Sequence, residues 1–260
     1  MPTAPRLAVL IDADNTSPKH AGAVLREVAR YGLPTVKRAY GDWTTQNLVG
    51  WKNALPGHAI QPVQQFANTS GKNSTDSAMI IDAMDLLYAG HLDGFAIVSS
   101  DSDFTRLATR LRESGMTVYG LGARKTPASL VAACDRFIYL ELLTSDAKDE
   151  EPADEADVES PPRRPDLRRI LVAAIDNTSH EDGWASLGAV GSYISANNPS
   201  FDARDYGSPR LGALLSAQDY LEVDLSDTGQ AQVRLRTKVV AKKAAARKRP
   251  AKKQATDQSG

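Results

Sequence analysis

Carboxylates stand at three places in this 260-residue sequence where an apolar run begins or ends. The run Leu7 to Ile11 is followed by Asp12-Ala13-Asp14-Asn15, and the run Phe95 to Ser99 by Ser100-Asp101-Ser102-Asp103. Between them, Ser74-Thr75-Asp76 opens a segment of helical periodicity. Each acid alone has an ordinary explanation. Asp76 and Asp103 fall in first helical turns, where a carboxylate meets the positive end of the helix dipole. Asp101, Ser102 and Ser74 are N-cap residue types, and Asp14 or Asn15 suits an Asx turn. Convergence on one edge changes the balance. Clustered carboxylates repel unless a cation neutralises them, and hard oxygen donors suit Mg2+ or Mn2+. Such an ion activates water and stabilises charge on a phosphoryl oxygen. The histidines His20, His58, His91 and His180 are scattered and Cys134 stands alone, so no zinc ligand set is present.

Convergence requires elements that bring these positions together. Residues 6–143 alternate two kinds of segment. Short apolar, β-rich runs occur at Leu7–Ile11, Thr35–Tyr40, Ile60–Phe66, Phe95–Ser99, Thr117–Leu121 and Phe137–Leu140. Helical spacing occurs in Ala21–Tyr31, in Ser77–Tyr88 and in Phe104–Ser114, the last with an i, i+3, i+4, i+7 stripe of Phe104, Leu107, Ala108 and Leu111. Strands alternating with helices predict βαβ units and a parallel sheet. In such a sheet, ligands bind beyond the carboxyl ends of the strands, near the switch point. That is where the acids fall.

The remainder of the chain divides by composition. Residues 144–165 combine acids with Pro152, Pro161, Pro162 and Pro165, which predicts an extended, self-repelling linker. Residues 166–236 form a second patterned region, with amphipathic helices over 166–180 and Leu187–Ala196, a shorter helix within Tyr206–Gln218, and a terminal hairpin from Tyr220–Leu225 and Gln232–Arg236. Residues 237–260 hold a basic block predicted to be a disordered tail, with eight Lys or Arg and no acid in 238–253. Such a block either solubilises a flexible end or contacts a polyanion. The net charge of −1 conceals this acidic-then-basic asymmetry. No apolar run is long enough to span a bilayer, and the first residues lack the pattern of a signal peptide. A single cysteine fits a reducing compartment, so the expected location is cytoplasmic.

The strings LAVLIDADN, KNSTDSAMIIDAMD and AIVSSDSDFTRLATRLRESGMTVYGLG resemble the three signature blocks of NYN domains, members of the PIN-like nuclease superfamily. The resemblance spans residues 6–142. It implies an α/β, PIN-like (Rossmann-like) parallel sheet flanked by helices, and Mg2+- or Mn2+-assisted cleavage of RNA phosphodiesters. Carried over by position, Asp12 is the first-strand acid, Asp76 the helix acid, and Asp101 and Asp103 the two acids of the SDSDF turn. Asp12, Asp76 and Asp101 would hold the ion, and Asp103 would complete the acidic shell or orient water. Asn15 and Ser100 would position a water or the scissile phosphate, and Lys72 would contact RNA. Ser100 departs from the family, where glycine is frequent. Asp82, on a different helix face from Asp76, is left outside this shell and is expected to cap or pair internally.

The run FDARDYGSPRLGALLSAQDYLEVDL resembles the OST-HTH (LOTUS) domain, a small winged-helix-like module, through Asp205, Tyr206, Gly207, Leu211, Leu214 and Leu215. Gly188, Tyr193 and Phe201 fit its preceding portion. It implies RNA binding or a protein partner. Members of the PIN-like superfamily often pair, so a homodimer is an open assembly, although no helix face in the sequence identifies an interface. Two other functions fit parts of the pattern. A non-catalytic RNA-binding adaptor could keep the acids for a stabilising metal. Asp12-Ala13-Asp14-Asn15-Thr16 also satisfies the D-x-D-x-T pattern of haloacid-dehalogenase-type phosphatases. Residues 17–31, however, read as an immediate helix and leave no room for the insert those enzymes carry.

Overall fold

The computed structural model describes residues 4–66, 74–144, 165–224 and 231–236. The linker within 145–164, Lys72 and the basic tail lie outside the described residues. The first region contains β1 (Arg6–Asp12), α1 (Ala21–Val28), β2 (Leu33–Gly41), α2 (Val49–His58), β3 (Gln61–Gln64) and α3 (Ser74–Tyr88). It continues with β4 (Gly94–Val98), α4 (Thr105–Glu113), β5 (Thr117–Gly122), α5 (Ala128–Ala133), β6 (Arg136–Tyr139) and α6 (Leu140–Thr144). The six strands are all parallel, in the order β3-β2-β1-β4-β5-β6.

The switch point of this order lies between β1 and β4, the two strands whose ends carry Asp12 and Asp101. β1 and β4 are the innermost strands and are apolar on both faces, as a sheet covered on both sides requires. Alternation along β1 divides the core. Leu7, Val9 and Ile11 pack with Val24, Val28 and Trp51 on the α1–α2 side. Ala8 and Leu10 pack with Met79, Phe104 and Leu111 on the α3–α4 side. Cys134 is buried in the second of these layers, and burial pushes its thiol up to about 12, so it is an inert packing group. Among the described residues no helix is long and apolar enough to cross a membrane.

α2 was not predicted. Gly50, Pro56 and Gly57 erase its helical signal, and it ends on Ala59 in a left-handed conformation at φ 50°, where glycine is usual. Pairing with the sheet through Trp51 and Leu55 overrides these weak local preferences.

The second region comprises α7 (Leu167–Thr178), β7 (Ala185–Ser186), α8 (Leu187–Asn197), α9 (Leu211–Ser216), β8 (Leu221–Asp224) and β9 (Gln232–Leu235). β8 and β9 pair antiparallel, as the predicted hairpin requires, and the two-residue β7 joins β9 on its other side. The shorter helix expected within Tyr206–Gln218 is α9, and a 3-10 turn, Ala203–Tyr206, precedes it. Gly207 turns left-handed at φ 75° between them and Pro209 follows. Leu171, Ile175, Val190, Ile194, Leu215 and Val233 form the core of this unit.

Candidate active site

The candidate site is assembled at the carboxyl edge of the sheet. Asp12 ends β1 with no solvent exposure. Its Oδ2 accepts from the Asn15 side-chain amide and from the Ser99 hydroxyl, both at 2.8 Å, and its Oδ1 accepts from the Asn15 backbone N–H at 3.2 Å. Ser99 oxygen also accepts from the Asp101 N–H at 3.1 Å, so one hydroxyl ties the end of β1 to the turn after β4. Asp101 caps the 3-10 turn Ser102–Phe104 by accepting from the Asp103 N–H at 2.9 Å, and buried Phe104 pins that turn to the core. Ser100 oxygen accepts from the Ala123 N–H at 2.8 Å and fastens this turn to the loop after β5. From the third direction, the Thr75 hydroxyl donates to Asp14 Oδ2 at 2.8 Å, which sets the first turn of α3, and with it Asp76, against the loop after β1.

Close approach at this edge depends on two glycines. A Cβ on Gly122 would stand 2.7 Å from the Ser99 carbonyl oxygen, a backbone atom without freedom to yield. A Cβ on Gly41 would meet Leu48 Cδ1 at 2.6 Å and Asp14 Oδ1 at 3.2 Å. Both strands can end this near the acids only because these positions lack side chains.

One carboxylate oxygen from each of Asp76, Asp101 and Asp103 lies within 4.8 Å of the other two. An octahedral Mg2+ with oxygens at 2.0–2.1 Å separates trans ligands by about 4.2 Å. Three ligands on one octahedron include at most one trans pair, and cis oxygens stand about 2.9 Å apart, so the donors would close in on an ion, and their all-oxygen chemistry matches a small hard cation. Charge density at the site is visible in Asp76. Burial, and then the neighbouring charges of Asp12, Asp101, Asp103 and Asp14, push its carboxyl up to about 6. Asp76 is 8% exposed, so little solvent screens it. Burial also raises Asp12, although the bonds from Asn15 and Ser99 oppose that rise. A cation would relieve both.

The sheet edge thus gathers Asp12, Asn15, Asp76, Ser100, Asp101 and Asp103. The trio contains Asp103, expected to complete the shell, and does not contain Asp12, which was expected to hold the ion. Asp82 is elsewhere in function: its carboxylate takes the Arg38 guanidinium and the Tyr40 hydroxyl. Ser99, Asp14 and Thr75 carry the framework but were not singled out as site residues. Ser99 could have been found from its place, since it follows β4 directly and heads the turn that carries Asp101. The Thr75–Asp14 bond spans 61 positions and has no local signal. Beside Asp14 and Asn15 opens a cleft of about 560 Å3, walled by Ser17, Asn47 and Leu48 with Trp51 at its base. Trp51 is fixed there by an N–H donated to the Thr16 carbonyl at 2.8 Å.

An all-parallel sheet in this strand order, with oxygen donors massed at its switch point, defines an α/β protein with an acidic site at the carboxyl edge. The NYN domain model matches residues 6–141, more than half of the chain, and the OST-HTH/LOTUS domain model matches residues 163–233. The chain belongs to the NYN domain family and carries an OST-HTH/LOTUS domain after its NYN domain. NYN domains are part of the PIN-like nuclease superfamily, and both domain types are associated with RNA. Among solved structures, the chain is similar to a protein of unknown function from Vibrio parahaemolyticus, at 18% identity over 53% of this chain and 93% of that one, with a TM-score of 0.45. It is also similar to an uncharacterized protein from Nitrosomonas europaea, at 26% identity over 34% of this chain and 92% of that one, with a TM-score of 0.26. A protein segment from Chromobacterium violaceum is 33% identical over 32% of this chain and 95% of its own length, with a TM-score of 0.25. No curated protein matches the chain.

Proposed function

We propose that this protein is a Mg2+- or Mn2+-dependent ribonuclease that hydrolyses phosphodiester bonds within RNA chains, with its C-terminal domain contributing to RNA binding. The observation that carries this reading is the carboxylate trio Asp76, Asp101 and Asp103 at the switch point of a NYN domain. When bound, the divalent ion supplies a water of lowered pKa and positive charge against the phosphoryl oxygens. Asp76, Asp101 and Asp103 hold that ion. Asp12, with both oxygens engaged by Asn15 and Ser99, adds negative charge from behind and orients ordered water. Asn15 keeps a second amide N–H for the scissile phosphate and its carbonyl for a water. Ser100, whose oxygen accepts from Ala123, keeps its O–H to donate to a phosphoryl oxygen. Lys72 is assigned to an RNA phosphate on the sequence alone. Attack by water on phosphorus, in line with the leaving oxygen, then needs the rigid placement that the hydrogen bonds among these loops provide.

The test is cleavage of a labelled structured RNA by the full chain and by Asp101→Asn, with Mn2+, Mg2+ or EDTA. Metal-dependent cutting that is lost in the folded variant is expected. Absence of cutting across a broad RNA panel, together with metal-independent RNA binding, would replace this reading with that of a non-catalytic adaptor.

A further inference from the structure

We propose that the junction between the two domains is a second RNA-contact site, which takes a backbone phosphate between Arg30 of the NYN domain and Arg210 of the OST-HTH/LOTUS domain. This inference rests on the reading of the protein as one that binds RNA.

The junction is built rather than incidental. β6 is an edge strand, and its Phe137 N–H donates to the Pro199 carbonyl at 2.9 Å, so the C-terminal domain covers that edge. Arg204, in the 3-10 turn after Pro199, reaches across to Glu27 of α1 with two bonds of 3.0 and 3.2 Å, while it also holds Asp202 of its own domain at 2.7 and 3.0 Å. Glu27 is only 4% exposed. Arg124 and Asp205 form a further ion pair across the junction.

These contacts enclose a cavity of about 300 Å3, with Arg30 and Arg136 on one side, Arg204 and Arg210 on the other, and Ile194 and Phe201 among its apolar lining. Four guanidinium groups face two carboxylates, Glu27 and Asp202, so two positive charges are left over. Arg204 is committed to both acids. Arg136 lies 3.8 Å from Asp202 with its guanidinium over the Tyr31 ring. Arg30 touches Glu27 with one nitrogen at 3.1 Å, and its side chain is 60% exposed. Arg210 is exposed and pairs with no acid among the described residues. The surplus charge therefore sits on Arg30 and Arg210, at the mouth of a cavity at the small end of the ligand-pocket range. Guanidinium forks match phosphate oxygens in a bidentate geometry. The apolar lining beneath suits the face of a ribose or base. Because each domain supplies one of the two arginines, a phosphate held there bridges the domains.

The test is fluorescence anisotropy of a labelled single-stranded RNA with the full chain in EDTA, which separates binding from cutting, across a salt series. The double variant Arg30→Gln/Arg210→Glu is expected to bind about tenfold more weakly, with the salt dependence of log Kd shallower by about 0.7, the share of one single-strand phosphate contact. Arg110→Gln, which removes a charge on α4, is expected to stay within about twofold of the unaltered chain. Unchanged affinity and slope in the double variant, while the unaltered chain binds and cuts RNA, would overturn this site and leave the ribonuclease reading intact. A thermal shift by a free nucleoside monophosphate that disappears in the double variant, with RNA affinity unchanged, would also overturn it in favour of a nucleotide pocket. Failure of the unaltered chain both to bind and to cut RNA would remove both readings.

Discussion

Asp76 shows most plainly what the site costs the fold. Its carboxyl is pushed up to about 6 by burial and by four neighbouring acids, so the native state binds a proton more tightly than the unfolded chain, where the ordinary value is 3.8. The stabilising contribution of that proton is complete below pH 3.8 and is lost as pH rises to about 6. In the metal-free protein, stability should therefore fall over this window by about 1–3 kcal/mol from this group. Asp76→Asn should flatten the decline, raise the melting temperature in EDTA at pH 7 and abolish stabilisation by Mn2+. Melting curves in EDTA at pH 4 and pH 7, with and without the substitution, check the sign. Ser99 makes a different point. Its hydroxyl serves Asp12 and Asp101 at once, so Ser99→Ala should lower metal affinity or cleavage about 10–100-fold and cost about 1–3 kcal/mol of stability. A variant that cuts at the full rate would show that the hydroxyl is dispensable. The acids were legible in the sequence because they directly follow strong apolar runs or open a periodic one. The serine and the Thr75–Asp14 bond were not, because their meaning lies in partners 87 and 61 positions away.

Elements were readable in proportion to their periodicity. β1, β4, α3 and α4 have unbroken patterns, and the structure places them within a few residues of expectation. α2 was invisible because a proline and two glycines interrupt it, and β7 because two residues carry no pattern. The parallel sheet followed from strand–helix alternation, but the close contact between strand ends did not, since it depends on what is missing at Gly41 and Gly122. Gly122→Ala forces a Cβ against the Ser99 carbonyl and should destabilise the protein by about 1–3 kcal/mol. Cleavage should fall as well, because Ser99 carries the turn that presents Asp101. Alanine at Gly115, at φ 82° but in open space, separates backbone strain from this clash. Denaturant titration and initial cleavage rates should show loss of stability in both variants and loss of rate only in the first.

At the scale of the molecule, the two domains meet at a junction of ion pairs. Burial raises Glu27 and Asp202, but their bonds to Arg204 outweigh it and hold both carboxyls below their ordinary values of 4.5 and 3.8. Depressed folded values mean that this stabilisation is present above pH 4.5 and is lost as pH falls through the folded values. Arg204→Met takes the main partner from two buried acids, leaving Glu27 with Arg30 and Tyr31 and Asp202 with Arg136, and should cost about 2–4 kcal/mol at pH 7. The cost should shrink toward pH 4, where these acids take up protons. Denaturation at the two pH values checks this, and an equal cost at both would mean that Arg204 contributes packing alone. None of the junction was legible in the sequence, since Arg204 and Glu27 are 177 positions apart. RNA cutting by the NYN domain should depend on a cation held by the trio. The most direct measurement titrates Mn2+ into the full chain, recording bound ion by electron paramagnetic resonance and the initial cleavage rate on the same samples. Occupancy and rate should rise together, and both should vanish in folded Asp101→Asn. Cutting at the full rate in EDTA, or by Asp101→Asn without bound Mn2+, would contradict it.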